Sequence, residues 1–224
     1  YLCSMLSDKG VIFDMDGVLC HTNPYHSEAF RIFFSKRGFV PTDEEFARHM
    51  FGKNNRYIFS YFLKRPVEGA ELLELEEEKE SLFREIYREH IAPIPGLIEF
   101  LNDLKSLGFR LGVATSAPYP NLELIIDGLN IRHLFGSVLT SENVQRHKPD
   151  PEVYLKSAAN LGVLPANCVV FEDSFSGITA GLAAGARVVG VLTSHQPEEL
   201  PVCSRYIHDY REITAGDVRE ILEN

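Results

Sequence analysis

Val11-Ile12-Phe13-Asp14-Met15-Asp16-Gly17 runs three apolar residues, read as a strand, into two carboxylates spaced two apart. Cys168-Val169-Val170-Phe171 leads in the same way into Glu172 and Asp173. Short apolar runs that end in polar residues fit strands buried on both faces, as in a parallel sheet. Such sheets gather ligands outside the C-terminal ends of their strands, so the four acids are expected to converge there. Carboxylates brought together repel unless a proton or a cation intervenes. An all-oxygen donor set suits a hard divalent ion, and magnesium is the expected cofactor.

Working outward, strands and helices alternate from Leu97 onward: helix 97–107, strand 110–114, helix 121–129, strand 137–140, helix 151–161, strand 168–171, helix 176–184 and strand 187–191. The spacing predicts an α/β fold, a Rossmann-like parallel sheet covered on both faces. Thr214 and Asp217 read as a capping pair for a last short helix to Leu222. Gly177, Gly181 and Gly185 recur every four residues and are expected to let a helix approach the sheet closely. Between the first strand and Leu97 the rhythm is helical only, with helices at 26–36, 43–50, 56–63 and 71–90. That interruption predicts an inserted helical cap over residues 23–94, with a core domain formed by 1–22 and 95–224. Phe30, Phe33, Phe59, Phe62 and Phe83 are its expected core. The Pro- and Gly-containing ends near Thr22-Asn23-Pro24 and Ala92-Pro93-Ile94-Pro95-Gly96 read as linkers, so the cap is expected to serve as a lid.

The 224 residues are 45% apolar with a formal charge of -10, enough for one sizeable core and a smaller unit. No basic face is available for a phosphate backbone, so nucleic acid is not an expected partner. Much of the negative charge lies between Glu68 and Glu89, where nine acidic and three basic residues read as a solvated helix face. The apolar run from Val11 to Leu19 is too short to span a bilayer and carries two aspartates. Cys3, Cys20, Cys168 and Cys203 form no close pair, which predicts a reduced, cytoplasmic protein. No membrane partner is expected, and a monomer is.

One of two neighbouring carboxylates can attack phosphorus or carbon while the other donates a proton to the leaving oxygen and later activates water. Asp14 and Asp16 fit those roles, and Gly17 lets the chain turn sharply beside them. Thr115, closing the strand 110–114, offers a hydroxyl to an anionic oxygen, and Lys148 offers a fixed positive charge. This set suits a phosphoryl group.

Asp14-Met15-Asp16-Gly17-Val18-Leu19, Thr115-Ser116, Lys148-Pro149 and Glu172-Asp173-Ser174 together resemble the four ordered motifs of the haloacid dehalogenase superfamily. The resemblance covers nearly the whole chain and points to the β-phosphoglucomutase-like and phosphoglycolate phosphatase-like branches with a helical cap. It implies that Asp14 becomes an aspartyl-phosphate and that Asp16 is general acid and base. Thr115 and Lys148 would hold the phosphoryl oxygens, and Ser116 would be a substrate-binding residue. Asp14, the Asp16 carbonyl, Glu172 and Asp173 would hold magnesium directly or through water. It also makes Gly52, Lys53, Asn54, Asn55 and Arg56 a substrate-reading loop in the cap. His26, four residues after Thr22, would match a relay histidine. The substrate is expected to be a small phosphorylated metabolite, a sugar phosphate in particular.

Several reactions remain compatible with these residues. A dehalogenase has no need of Asp16. A phosphosugar mutase of this type carries Ser-Lys-Asn after the second motif, where Ala117-Pro118-Tyr119 stands here, so a phosphatase is the expected activity and a mutase the alternative. Lys53 raises phosphonoacetaldehyde hydrolysis as a further option. A receiver-like phospho-acceptor shares the residue types but lacks the helical insertion.

Overall fold

Val, Ile and Phe crowd the predicted strands because their branched or flat side chains pack well on a pleated surface buried from both sides. In the computed structural model, which describes residues 8–50 and 55–223, they form one parallel sheet. Its strands are β1 (Gly10–Phe13), β2 (Arg110–Ala114), β3 (Phe135–Leu139), β4 (Cys168–Glu172), β5 (Arg187–Val191) and β6 (Arg205–Ile207), in the order β3-β2-β1-β4-β5-β6. The order reverses at β1, which has β2 on one side and β4 on the other, and this is where an open parallel sheet leaves a crevice. Phe13 is level with Val113 of β2 and with Phe171 of β4. The residues that follow each of them therefore leave the sheet at one height.

The chain divides into two units, Tyr1–His21 with Ile91–Asn224, and Thr22–His90. In the first, α5 (Leu97–Ser106), α6 (Tyr119–Gly128), α7 (Glu152–Leu161), α8 (Phe175–Ala183) and α9 (Ala215–Glu223) connect or follow the strands. One face of the sheet carries an aromatic cluster: Phe13 stacks on Phe171 with ring centroids 5.0 Å apart, and Phe100 and Tyr210 close around them. Ile12, Val170, Val188, Tyr154 and Ile178 build the apolar core of which α7 and α8 form part. Thr214 and Asp217 cap α9 as the sequence predicts, Thr214 N donating to Asp217 Oδ2 at 2.7 Å and Asp217 N to Thr214 Oγ1 at 3.2 Å.

The second unit holds α1 (Asn23–Ser35), α2 (Asp43–His49), α3 (Asn55–Phe62) and α4 (Gly69–Tyr87). Phe30, Phe33, Phe34, Phe46, Phe59 and Phe62 fill its core. Its α1 starts three residues before the predicted point because Pro24 occupies the first turn, where its missing N–H is no loss. Read as a linker, the proline instead opens a helix. The same reason moves the start of α6 forward to Tyr119, ahead of Pro120. Strand β6 was absent from the sequence reading, since three residues at a sheet edge give no periodicity.

Two further expectations change. The acidic stretch is not wholly solvated: Lys79 and Glu80 of α4 are buried at 3% and 5% exposure, and Lys79 Nζ donates to Glu80 Oε1 at 2.9 Å. Of the three spaced glycines, only Gly181 serves helix-to-sheet packing, where an added Cβ would lie 3.0 Å from Val188. Gly177 instead makes room for the Glu172 carboxylate, which a Cβ there would overlap, and Gly185 takes the left-handed turn after α8 with φ +82°.

Candidate active site

Because register brings β1, β2 and β4 to one height, the polar residues that follow them meet. Asp14 N donates to Phe171 O of β4 at 3.0 Å, holding the first carboxylate beside the second pair. Lys148, from the segment after β3, reaches in between: its Nζ donates to Asp14 Oδ1 at 2.6 Å, Glu172 Oε1 at 2.7 Å and Ala114 O at 3.1 Å. Its side chain is only 5% exposed. Oxygens of Asp14, Glu172 and Asp173 lie within 4.8 Å of one another, and all three residues are buried.

Burial shapes the charge of this cluster. Desolvation, opposed by Lys148 and reinforced by the carboxylates of Glu172, Asp16 and Asp173, holds Asp14 well above the ordinary aspartate range. Burial and the neighbouring Glu172 push Asp173 up to about 7. Burial alone would lower Lys148, but Asp14 and Glu172 more than offset it and hold the ammonium well above its usual range. Four carboxylates thus face one ammonium, which leaves room electrostatically for a divalent cation. The donor set is all oxygen, and it fits a hard ion such as magnesium.

Glu172 is fully engaged without such an ion. Its Oε1 accepts from Lys148 Nζ and, at 2.9 Å, from Tyr154 OH. Its Oε2 accepts from Asp173 N, Ser174 N and Ser174 Oγ at 2.9–3.0 Å. The side chain therefore fixes Lys148 and acts on a cation through its charge, leaving Asp14 and Asp173 the better placed direct ligands.

The remaining core residues bear on the same place. Met15 to Cys20 forms a tight turn in which Gly17 N donates to Cys20 O at 2.9 Å, with Gly17 at φ +72°. Asp16, half-buried in that turn, lies close enough to raise both Asp14 and Asp173 electrostatically. Thr115 is buried at the end of β2, and its Oγ1 accepts from Ala117 N at 3.0 Å, which aims the hydroxyl and leaves its proton for an outside acceptor. Ser116 is exposed beside it.

The cap candidates lie in the other unit. His26 stacks on Phe83, ring centroids 3.8 Å apart, and its Nδ1 is 2.8 Å from Lys79 Nζ. Asn55 Nδ2 donates to Glu80 Oε1 at 3.3 Å, and Arg56 is ion-paired with Glu68. Both thus have partners within their own unit. Gly52, Lys53 and Asn54 fall outside the described residues.

Three site residues escaped the sequence reading. Tyr154 was hidden in the apolar stripe of α7. Thr193 and Ser194 come one residue after the end of β5, at the same end of the sheet as the acids, and that position was the available signal. Thr193 Oγ1 donates to Gly17 O at 2.6 Å, and Ser194 Oγ donates to Asp173 Oδ2 at 2.6 Å.

Residues 11–191 match the family described as haloacid dehalogenase-like hydrolase. The chain belongs to that family. A "Phosphorylated carbohydrates phosphatase" of Thermotoga maritima is 36% identical to it over 192 residues, 83% of this chain and 86% of that protein. The structure of a family IA, variant 3 hydrolase from Entamoeba histolytica superposes with a TM-score of 0.91 at 27% identity, covering 96% of this chain and all of that one. A β-phosphoglucomutase from Clostridium difficile gives a TM-score of 0.83 at 26% identity, covering 96% and 97%. Among the described residues no helix is long and apolar enough to cross a membrane.

As a member of this family with a buried acidic cluster, the protein should couple metal binding to pH. Asp173, at about 7 against an ordinary value of 3.8, binds its proton more tightly folded than unfolded. Its share of stability in the metal-free protein is thus fully present below about pH 4 and is lost as pH rises through about 7. Bound magnesium requires the ionised form, so magnesium should stabilise the fold increasingly with pH over that window. Thermal unfolding in EDTA and in excess magnesium across that range checks this. Equal magnesium-induced shifts at about pH 5 and pH 8 would contradict it.

Proposed function

We propose that this hydrolase is a magnesium-dependent phosphatase of small phosphorylated sugars that works through an aspartyl-phosphate on Asp14. The observation that carries this reading is Lys148 Nζ held 2.6 Å from Asp14 Oδ1 in a buried cluster with Glu172 and Asp173. A carboxylate there is a nucleophile whose neighbours are already arranged for an anionic substrate. When bound, magnesium held by Asp14, the Asp16 carbonyl and Asp173 would neutralise charge on the phosphoryl oxygens.

The residues divide the reaction between them. An Asp14 oxygen bonds to phosphorus as the bond from phosphorus to the sugar oxygen breaks, and the Asp16 carboxyl gives its proton to that leaving oxygen. Asp16, now ionised, takes a proton from water. The resulting hydroxide bonds to phosphorus, the bond to Asp14 breaks, and inorganic phosphate leaves with Asp14 regenerated. Lys148 and the Thr115 hydroxyl bind the phosphoryl oxygens throughout, and the Ala114 and Glu172 contacts of Lys148 keep its ammonium in place.

Substrate class is supported by the Thermotoga relative, whose name specifies phosphorylated carbohydrates. The likeness to a phosphoglucomutase keeps the transfer of phosphate between sugar positions as a second reading. Against it, the residues after Thr115-Ser116 offer little to a second phosphate. Ala117 is apolar and buried, Pro118 has no donor, and the Tyr119 hydroxyl lies 3.4 Å from Arg132. A panel of sugar phosphates, including β-glucose 1-phosphate with and without a bisphosphate primer, is expected to release inorganic phosphate only when magnesium is present. Isomerisation without net phosphate release would favour the mutase.

A further inference from the structure

Two loops carry the atoms that would meet a cation, the turn after β1 with Asp14 and Asp16 and the end of β4 with Asp173. The chain does not link them directly, since more than 150 residues separate them. Side by side in the sheet, β1 and β4 hold their backbones together only as far as the bond from Asp14 N to Phe171 O, short of Asp16 and Asp173. Beyond that point something else must set the gap between the two loops.

Thr193 and Ser194, at the end of β5, touch both. Thr193 Oγ1 donates to Gly17 O at 2.6 Å, one residue after Asp16. Ser194 Oγ donates to Asp173 Oδ2 at 2.6 Å and lies 2.9 Å from Asp173 O. His195 Nδ1 is 2.9 Å from Ser194 Oγ and 3.1 Å from Asp173 O. With the proton on Nδ1 it donates to both, which directs the single serine proton to the Asp173 carboxylate. Gly17 completes the fit, since a Cβ there would overlap Asp173 and lie 2.8 Å from Thr193 Oγ1. Both loops are thus tied to the same dipeptide, Thr193 half-buried and Ser194 exposed, which follows β5, a strand paired on both sides.

We infer that Thr193 and Ser194 are positioning residues for the cation: together they clasp the Gly17 turn and the Asp173 carboxylate at the separation that an ion bridging Asp14 and Asp173 requires. Neither hydroxyl touches the reacting atoms. Ser194 takes one carboxylate oxygen of Asp173 and not the other, and Thr193 takes the carbonyl of Gly17, next to Asp16. Partners of metal-ligating carboxylates commonly matter for affinity by about 10–100-fold. The inference rests on the magnesium reading above, and the test separates the two.

Magnesium titration of the full, metal-free chain by calorimetry, without substrate, is the measurement. Ser194→Ala and Thr193→Val are each expected to weaken magnesium by about 10-fold or more, and Ser194→Thr, which keeps the hydroxyl, to stay within about 3-fold of the unsubstituted protein. At saturating magnesium kcat should recover in each, so the loss appears in the magnesium concentration needed for half-maximal rate. Thermal unfolding in EDTA reports folding, and a destabilised Ser194→Ala leaves Thr193→Val to decide. Unchanged magnesium affinity in both variants overturns the clasp while leaving the metal reading intact. No magnesium binding by the unsubstituted chain removes the metal reading and the clasp with it.

Discussion

Asp14→Asn is expected to reduce kcat by about 10^4-fold or more while leaving the protein as stable as before, or more stable, when magnesium is absent. The amide keeps the size of the carboxylate but cannot bond to phosphorus, so no covalent intermediate forms. Its effect on stability has the opposite sign from the usual active-site loss of a charge. Asp14 is buried beside Glu172, Asp16 and Asp173, which raise it well above the ordinary range, and only Lys148 opposes them. Removing one negative charge relieves that repulsion and still leaves Lys148 paired with Glu172. Phosphate release under saturating substrate, together with unfolding in EDTA as a function of pH, checks both halves. Normal turnover in this variant would show that the nucleophile is some other group.

Lys148→Met removes positive charge from the same cluster at nearly constant volume, and stability should now fall. Breaking a buried pair by deleting one partner leaves an uncompensated charge and costs about 3–5 kcal/mol. Here two carboxylates lose a partner at 2.6 and 2.7 Å. Urea denaturation in EDTA should show a loss that grows with pH as the buried aspartates give up their protons and shrinks at lower pH as they take them up. Catalysis should fall by about 10^2–10^3-fold in kcat, the usual effect of deleting one donor to a developing oxyanion. A variant with unchanged stability would mean that the lysine does not sit between these acids in solution. Paired with Asp14→Asn, it separates the sign of the charge removed from the mere loss of a polar contact.

How far the sequence led can be judged from the same residues. Asp14, Asp16, Glu172 and Asp173 were legible because each pair follows an apolar run that forms a strand for purely local reasons, and β2 and β5 begin and end where the residues predicted. Thr115 followed from its place after a strand of an alternating pattern, and Lys148 from its charge and its Lys148-Pro149 motif. Short-range signals misled where a residue has two uses: Pro24 and Pro120 look like breaks and instead open helices. Gly177 was read as part of a packing stripe, although it clears space for a carboxylate.

By itself the sequence determined the alternating architecture, the helical insertion and the types of group that close the central strands, since periodicity and strand-end chemistry act over a few residues. Only tertiary structure decided that Lys148 lies between Asp14 and Glu172, that Tyr154 and Ser174 occupy the remaining lone pairs of Glu172, and that Thr193 and Ser194 hold Gly17 and Asp173. Most of these partners are far apart in the chain, and what joins them is strand order and register. Those are set by how whole strands bury their faces against one another, a property no local stretch contains.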